Sequence, residues 1–345
     1  MGFVVAGCGP QLADSGWGVI NAGDASAYAG LATGKFSALH AQSGLQRWEF
    51  PREKESLSSF YGRPALAGNL VIFGASDPTG RTTKVYALDV ATGEQRWAFV
   101  DLGEAVVGDP AVLDGRVYVS SADRNLYALA LETGQVQWRF TAGGALWSGV
   151  VSDGDQLYLG SMGRGVYALS AADGRQVWRF ATRGAVPGTP AVAGGLVYAG
   201  DLDSTLYAID AQSGQEVWRF ETDGWMWGQP VVGDGMIYAT SLNGWIYQLD
   251  ARTGAQGWSL RIRGVIPAGP VLADGILYVP SEDHNLYAVD ADTGNRMWTF
   301  DAGGPLLSSP VVVDGWVYVA TANGKALTLD AKTGSQRWVY PQPSK

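Results

Sequence analysis

The chain is nearly without cysteine. Cys8 is the single one among 345 residues, so no disulfide can form within the chain and no cysteine-based metal site can be assembled. Histidine is almost as scarce: His40 and His284 are the pair, and they stand far apart in sequence. No G-x-S-x-G and no phosphate-binding glycine loop is present, which removes the common nucleophile-elbow and nucleotide signatures. No stretch of 18 apolar residues exists, so no membrane-spanning helix is expected. Basic residues number 24 against 33 acidic ones, a net charge of −9, and no Lys/Arg block occurs. Nucleic-acid binding draws most of its affinity from cations set against phosphates, so that class is not expected, and a basic face for anionic lipid headgroups is disfavoured for the same reason. No segment sustains a 3.6-residue apolar period, so no helix is expected.

What is present is repetition. Trp48, Trp97, Trp138, Trp178, Trp218, Trp258, Trp298 and Trp338 are separated by 49, 41, 40, 40, 40, 40 and 40 residues. A fixed period of this length marks a repeat architecture. The 48 glycines, about twice the usual share, fall at fixed phases of the repeat and so mark turns. A hydrophobic content of 46% with 14 tryptophans argues for a large packed core.

Residues 227–260 show the unit. Four short runs rich in β-branched and aromatic residues begin at Pro230, Met236, Trp245 and the segment carrying Trp258, separated by Gly-Asp-Gly, by a polar loop, and by a turn from Asp250 to Gly254. Eight such four-stranded antiparallel units predict an all-β, eight-bladed β-propeller, each blade burying its faces against its neighbours. An open solenoid would need distinct caps, whereas the first and last copies resemble the rest. The chain opens on an innermost strand near Val19 and ends on an outermost strand near Trp338. Ring closure is therefore expected to rest on side-chain packing.

The last turn follows A-x-D-x-x-T-G-x-x-x-W, as in Ala288, Asp290, Thr293, Gly294 and Trp298. Asp and Thr brace the turn through backbone N–H groups, glycine supplies positive φ, and alanine leaves room for an indole. The eight periodic tryptophans, Trp48, Trp97, Trp138, Trp178, Trp218, Trp258, Trp298 and Trp338, are thus predicted to dock blade on blade. This motif resembles the tryptophan-docking repeat of quinoprotein-like β-propellers over about 15–340. In size and layout the chain is similar to the BamB-like outer-membrane assembly lipoproteins. Departures are local: His40, Ala130 and Ser170 replace the Asp, Asp173 the Thr, and Gln248 and Thr328 the Ala, which predicts looser contacts at the last two. Blade two has long loops at 51–62 and 75–83.

At the N-terminus, Val5-Ala6-Gly7-Cys8 resembles a bacterial lipoprotein processing site, with a polar tether after it. Only seven residues precede Cys8 and none is basic, short of a full export signal. The expectation is a signal and tether remnant at 1–14, a lipid on Cys8 as the only membrane contact, one propeller at 15–341, and a tail at 342–345.

Variation between copies concentrates on one face, that of the loops between blades and of the loops between second and third strands; such variation individualises a site in a repeat protein. Three residues before the innermost strand stand Trp17, Tyr61, Val107, Trp147, Pro187, Trp227, Pro267 and Leu307; one residue before it stand Val19, Arg63, Asp109, Gly149, Thr189, Gln229, Gly269 and Ser309. Both sets are predicted to ring one mouth of the central channel. Trp225, Trp245, Arg164, Asp201, Asp203, Asp283 and His284 are expected on the same face. These aromatics either plug the channel or form a rim for a peptide, a sugar or another flat ligand. No catalytic set is visible.

The resemblance implies a non-catalytic interaction scaffold, monomeric, outside the cytoplasm, with a protein or peptide partner in the cell envelope. Quinoprotein dehydrogenases hold pyrroloquinoline quinone and calcium on a similar propeller, but they are much longer and carry adjacent cysteines beside the cofactor. This chain matches neither feature, so neither cofactor nor metal is expected. A quinone- and calcium-dependent dehydrogenase and an extracytoplasmic glycan-binding propeller stay as alternatives.

Overall fold

Short runs rich in β-branched and aromatic residues, punctuated by glycine turns at positive φ, form strands, and the middle strands of each blade are buried on both faces. In the computed structural model, described for residues 16–23, 25–52, 56–77 and 82–342, thirty-two strands group into eight four-stranded sheets. Each sheet is antiparallel and ordered as in sequence. Blade six runs Val231–Gly233, Met236–Thr240, Trp245–Asp250 and Gln256–Arg261, close to the expected bounds. The chain is an eight-bladed propeller. Cys8 and the 1–14 segment lie outside the described residues, as do 343–345. Among the described residues no helix is long and apolar enough to cross a membrane.

Successive innermost strands lie side by side around the axis, and the first blade meets the last. No strand is exchanged at this junction: Val19–Ala22 through Gln46–Phe50 form one sheet and Val311–Val313 through Gln336–Tyr340 another. Side chains join them. The Trp338 indole N–H donates to the Ala41 carbonyl at 2.9 Å, the Tyr340 hydroxyl bonds Gln46 Oε1 at 2.6 Å, and the Ser308 hydroxyl donates to the Gly18 carbonyl at 2.8 Å.

The same docking recurs around the ring. Trp178, Trp218 and Trp298 donate to the carbonyls of Ala211, Ala251 and Ala331 in the next blade, at 2.9, 3.1 and 3.2 Å. Trp48 and Trp97 do the same to Val90 and Leu131, at 3.0 and 2.8 Å; the acceptor is a main-chain carbonyl, so its side chain is free to change. The turn glycine of that next blade lies flat beneath the ring: a Cβ on Gly214 or Gly334 would stand 2.7 Å from Cδ2 of Trp178 or Trp298, and one on Gly134 2.6 Å from Cε3 of Trp97. Gly214 and Gly334 thus serve both a positive φ (70° at each) and a close approach. The motif alanine faces the indole of its own blade, as Ala128 pairs with Trp138 across strands. A register shift beside it recurs in all eight outer strand pairs. Trp138 departs from the pattern: its buried Nε1 has no partner, and the Ala171 carbonyl takes Tyr118 and Arg116 instead, both at 3.2 Å.

The two contacts expected to be loose are not. Gln248 reaches across and donates to the Ala291 carbonyl at 2.9 Å, which Trp258 also bonds at 3.0 Å. Room for Gln248 comes from Gly257, where a Cβ would collide with the glutamine oxygen. At Thr328 the facing Trp338 is the most buried of the docking tryptophans, 4% exposed. Ser170 and Asp173 compensate one another: acid and hydroxyl have exchanged places in the turn, and the Ser170 hydrogen bond holds the Asp173 carboxyl below its usual range. In blade two the strands extend to Ser76 and from Thr83, which pair, so the expected 75–83 loop begins only at Asp77.

Candidate functional site

Both predicted rings meet at one mouth. A cavity of about 80 Å³ there is lined by all eight residues of the first set and by Arg63, Asp109, Gly149, Thr189, Gln229, Gly269 and Ser309 of the second. Val19 is fully buried within its strand instead. Between the two rings runs a collar that the sequence also displays but that its variable neighbours hide: Gly18, Gly62, Gly108, Ser148, Gly188, Gly228, Ala268 and Ser308. Members are small because adjacent inter-blade loops touch backbone to backbone; a Cβ on Gly62 would collide with the Gly108 carbonyl oxygen and one on Gly188 would stand 2.7 Å from that of Trp227, while at the closure Gly18 meets the Thr321 carbonyl instead. The uniform small residue fixes the loop path, and the residues on either side are free to differ.

Above the collar the aromatics form a cluster of their own. Trp17, Tyr61 and Val107 are buried, with Trp147, Trp227 and Leu307 half-buried against them. Trp17 and Tyr61 meet edge to face at 5.3 Å, while Trp147 and Trp227 reach past Pro187 to a 5.8 Å centroid distance. Trp17 and Tyr61 therefore plug the mouth, whereas the two half-buried tryptophans keep surface free. The Trp17 main-chain N–H donates to the Phe60 carbonyl at 2.9 Å, and its indole Nε1 is buried without a partner.

Below the collar the ring is polar. The Arg63 main chain and Nε each donate to Asp109, both at 2.7 Å, across blades two and three. The Gly149 N–H donates to Thr189 Oγ1 at 2.8 Å, and Ser309 Oγ to the Gly269 carbonyl at 2.9 Å. Arg63, Asp109, Gly149, Thr189 and Gln229 also line the channel beneath, about 500 Å³ between the innermost strands.

The other predicted residues do not join the mouth. Arg164 and His284 sit at φ +58° and +75°, 120 residues apart, at a loop position that Arg124, Ser204, Gly244 and Gly324 also hold at positive φ. That position belongs to the loop's geometry, and both side chains point outward as exposed tips. Asp201 is buried and accepts from Gly184, Asp203, Thr205 and Tyr207, which makes it a loop brace. Asp283 accepts from Asn285 and Tyr287 in the same way; Asp203 bonds through its main chain to Asp201. Trp245 stacks with Tyr247 at 6.0 Å, with the Arg261 guanidinium 5.7 Å over its ring. Trp225 stands 37% exposed on the loop entering blade six. Neither tryptophan lines the mouth.

A family model described as outer membrane protein assembly factor BamB matches residues 9–97, 32–146, 127–224 and 202–345. The chain belongs to this family. The overlapping matches follow from the internal repeat, since each blade can be read in register with the next. No curated protein sequence matches the chain. Among solved structures, BamB from Moraxella catarrhalis superposes with a TM-score of 0.74 at 19% identity, over 90% of this chain and 92% of that one. The computationally designed Ika8 protein gives 0.79 at 15% identity, over 92% and 97%. A europium-containing methanol dehydrogenase gives 0.70 at 16%, over 84% and 79%. At these identities the structural likenesses establish the fold alone; the family rests on the match along the sequence.

Proposed function

We propose that this family member is a non-catalytic scaffold which holds an extended segment or loop of a protein partner at the loop-face mouth. One observation carries the reading: the copies agree on the turn face and disagree around the mouth, where half-buried Trp147 and Trp227 present free aromatic surface above a polar ring. Aromatic anchors next to a few polar groups suit a peptide segment. The family description and the likeness to a BamB support a role in outer-membrane protein assembly. The reading adds a monomer outside the cytoplasm, attached to the membrane through a lipid on Cys8, with no cofactor.

The residues around the channel do not fit a quinone with calcium. No group of three or more His, Cys, Asp or Glu side chains converges among the described residues. Asp109, the carboxylate of the polar ring, already spends both oxygens on Arg63. The mouth cavity, at about 80 Å³, has room for a few waters, and the larger channel beneath it is lined by Asp109 as its single carboxylate.

The test is capture of envelope proteins by the wild type and by a Trp147→Ala/Trp227→Ala double variant, followed by identification of what is lost. Trp17 stays in place because its burial makes it part of the fold. Loss of a specific partner with an unchanged circular-dichroism spectrum is expected. Undiminished capture by the double variant would overturn the reading.

A further inference from the structure

Glu282 is a carboxylate where five of its sister blades carry apolar side chains. At the corresponding position the other blades that keep the 40-residue spacing have Ala122, Met162, Leu202, Leu242 and Ala322, so the loop needs no charge there. Its place beside the mouth is set by the main chain. The Glu282 N–H donates to the Val265 carbonyl at 3.0 Å, and the carbonyl of Ser281 accepts from Leu306 at 3.1 Å. Val265 precedes Pro267 by two residues and Leu306 precedes Leu307 by one, and both Pro267 and Leu307 line the mouth. The Glu282 turn is thus clamped between two mouth loops, one step outside the residues that line the cavity itself. The side chain is half-buried and makes no hydrogen bond or ion pair among the described residues, and burial pushes its carboxyl above the usual range. Covering a half-buried carboxylate that lacks a protein partner takes away its remaining water, a cost that an incoming cation offsets.

We propose that Glu282 is the specificity residue of the mouth, pairing with a lysine or arginine that flanks the apolar anchor of a bound peptide segment. The proposal rests on the reading of the mouth as a peptide-docking site and names the chemistry of what docks. An incoming ammonium or guanidinium neutralises Glu282 as the anchor covers it, so the pair forms under desolvation, where partner choice is strongest. Sequences with an acidic residue at that place are rejected by like charge.

The experiment is a titration of intrinsic tryptophan fluorescence with synthetic extended peptides. Each carries one aromatic anchor flanked by lysine, norleucine or glutamate, and the proteins are wild type, Glu282→Met and Glu282→Lys. Methionine is the residue of blade four, so that variant keeps the loop's packing. The lysine peptide is expected to bind wild type about tenfold more tightly than the norleucine peptide. That preference should fall to within twofold in Glu282→Met and reverse toward the glutamate peptide in Glu282→Lys. Equal binding of lysine and norleucine peptides by wild type, or a preference that survives Glu282→Met, overturns the role of Glu282 while leaving peptide docking intact. Absence of binding by every peptide overturns both.

Discussion

A β-carbon placed on Gly44 would stand 2.6 Å from Cδ2 of Trp338, so the last docking tryptophan lies directly on the turn glycine of the first blade. These residues are 294 positions apart in sequence, yet they repeat the contact that every other pair of adjacent blades makes, and they close the ring without a shared strand. Closure by side chains, with no shared strand, makes this seat one of the contacts that hold the first blade to the last. Gly44→Ala is expected to destabilise the protein by about 3 kcal/mol or more, because it forces the indole off its seat. Gly235→Ala is the control: its φ is +75° with nothing within 4 Å of an added Cβ, so only backbone strain of roughly 1–2 kcal/mol applies. Urea unfolding of both variants checks the difference; equal losses would show that φ, and not the seat, is what Gly44 supplies.

Thr328 faces Trp338 from within the last blade, and its hydroxyl is buried with no hydrogen-bond partner. Thr328→Val keeps the shape and removes the orphan group. Stability should rise by about 1 kcal/mol, read as a higher denaturant midpoint at unchanged m-value. A fall would show that the hydroxyl is satisfied in solution.

Ala130 occupies the turn position that aspartate holds in blades two and five to eight. In blade six the Thr253 N–H and hydroxyl both donate to Asp250 at 2.8 Å, and Thr133 stands ready to do the same in blade three. Ala130→Asp should raise Tm by ~1–3 °C. Differential scanning calorimetry at neutral pH measures it, and an unchanged Tm would mean that the turn is already held by its backbone bonds.

The turn aspartates tie stability to acid. The Arg96 hydrogen bond holds Asp89 below the usual carboxylate range. The hydroxyls of Thr253 and Thr293 do so for Asp250 and Asp290, and the main-chain N–H groups of Ser213 and Thr333 for Asp210 and Asp330. Each folded value lies below the unfolded one, so the unfolded chain takes up protons first as pH falls. Their stabilisation is complete above the ordinary aspartate value near ~4 and is lost as pH drops through the lowered folded values. Unfolding midpoints from pH 7 to pH 2 should fall steeply only in that acid range. The slope should be shallower in an Asp250→Asn/Asp290→Asn variant; an identical slope would assign the acid sensitivity to other groups.

Much of this was legible because a repeat states its own alignment. Trp48 through Trp338 mark the blades, and the residues one and three places before each innermost strand line one mouth in every blade except at Val19, since the copies superimpose on one geometry. Trp225, Trp245, Arg164 and His284 were harder to place. They share a face with the mouth, but a face is wide, and sequence phase does not measure distance from the axis. The exchange of Ser170 with Asp173 and the fit of Gln248 over Gly257 were also hidden, because each pair reads as two separate departures until the side chains are seen to meet.

By itself the sequence determined the number of blades, their four-strand order, the docking tryptophans and the face on which the copies diverge. All of these follow from local turn chemistry repeated at a fixed period. The tertiary structure alone decided which side chains close the ring, that Trp17 and Tyr61 plug the channel while Trp147 and Trp227 keep free surface, and that the Glu282 turn is held against two mouth loops. Those facts depend on contacts between blades distant in sequence and on how far each side chain leans toward the axis. Periodicity carries no record of either.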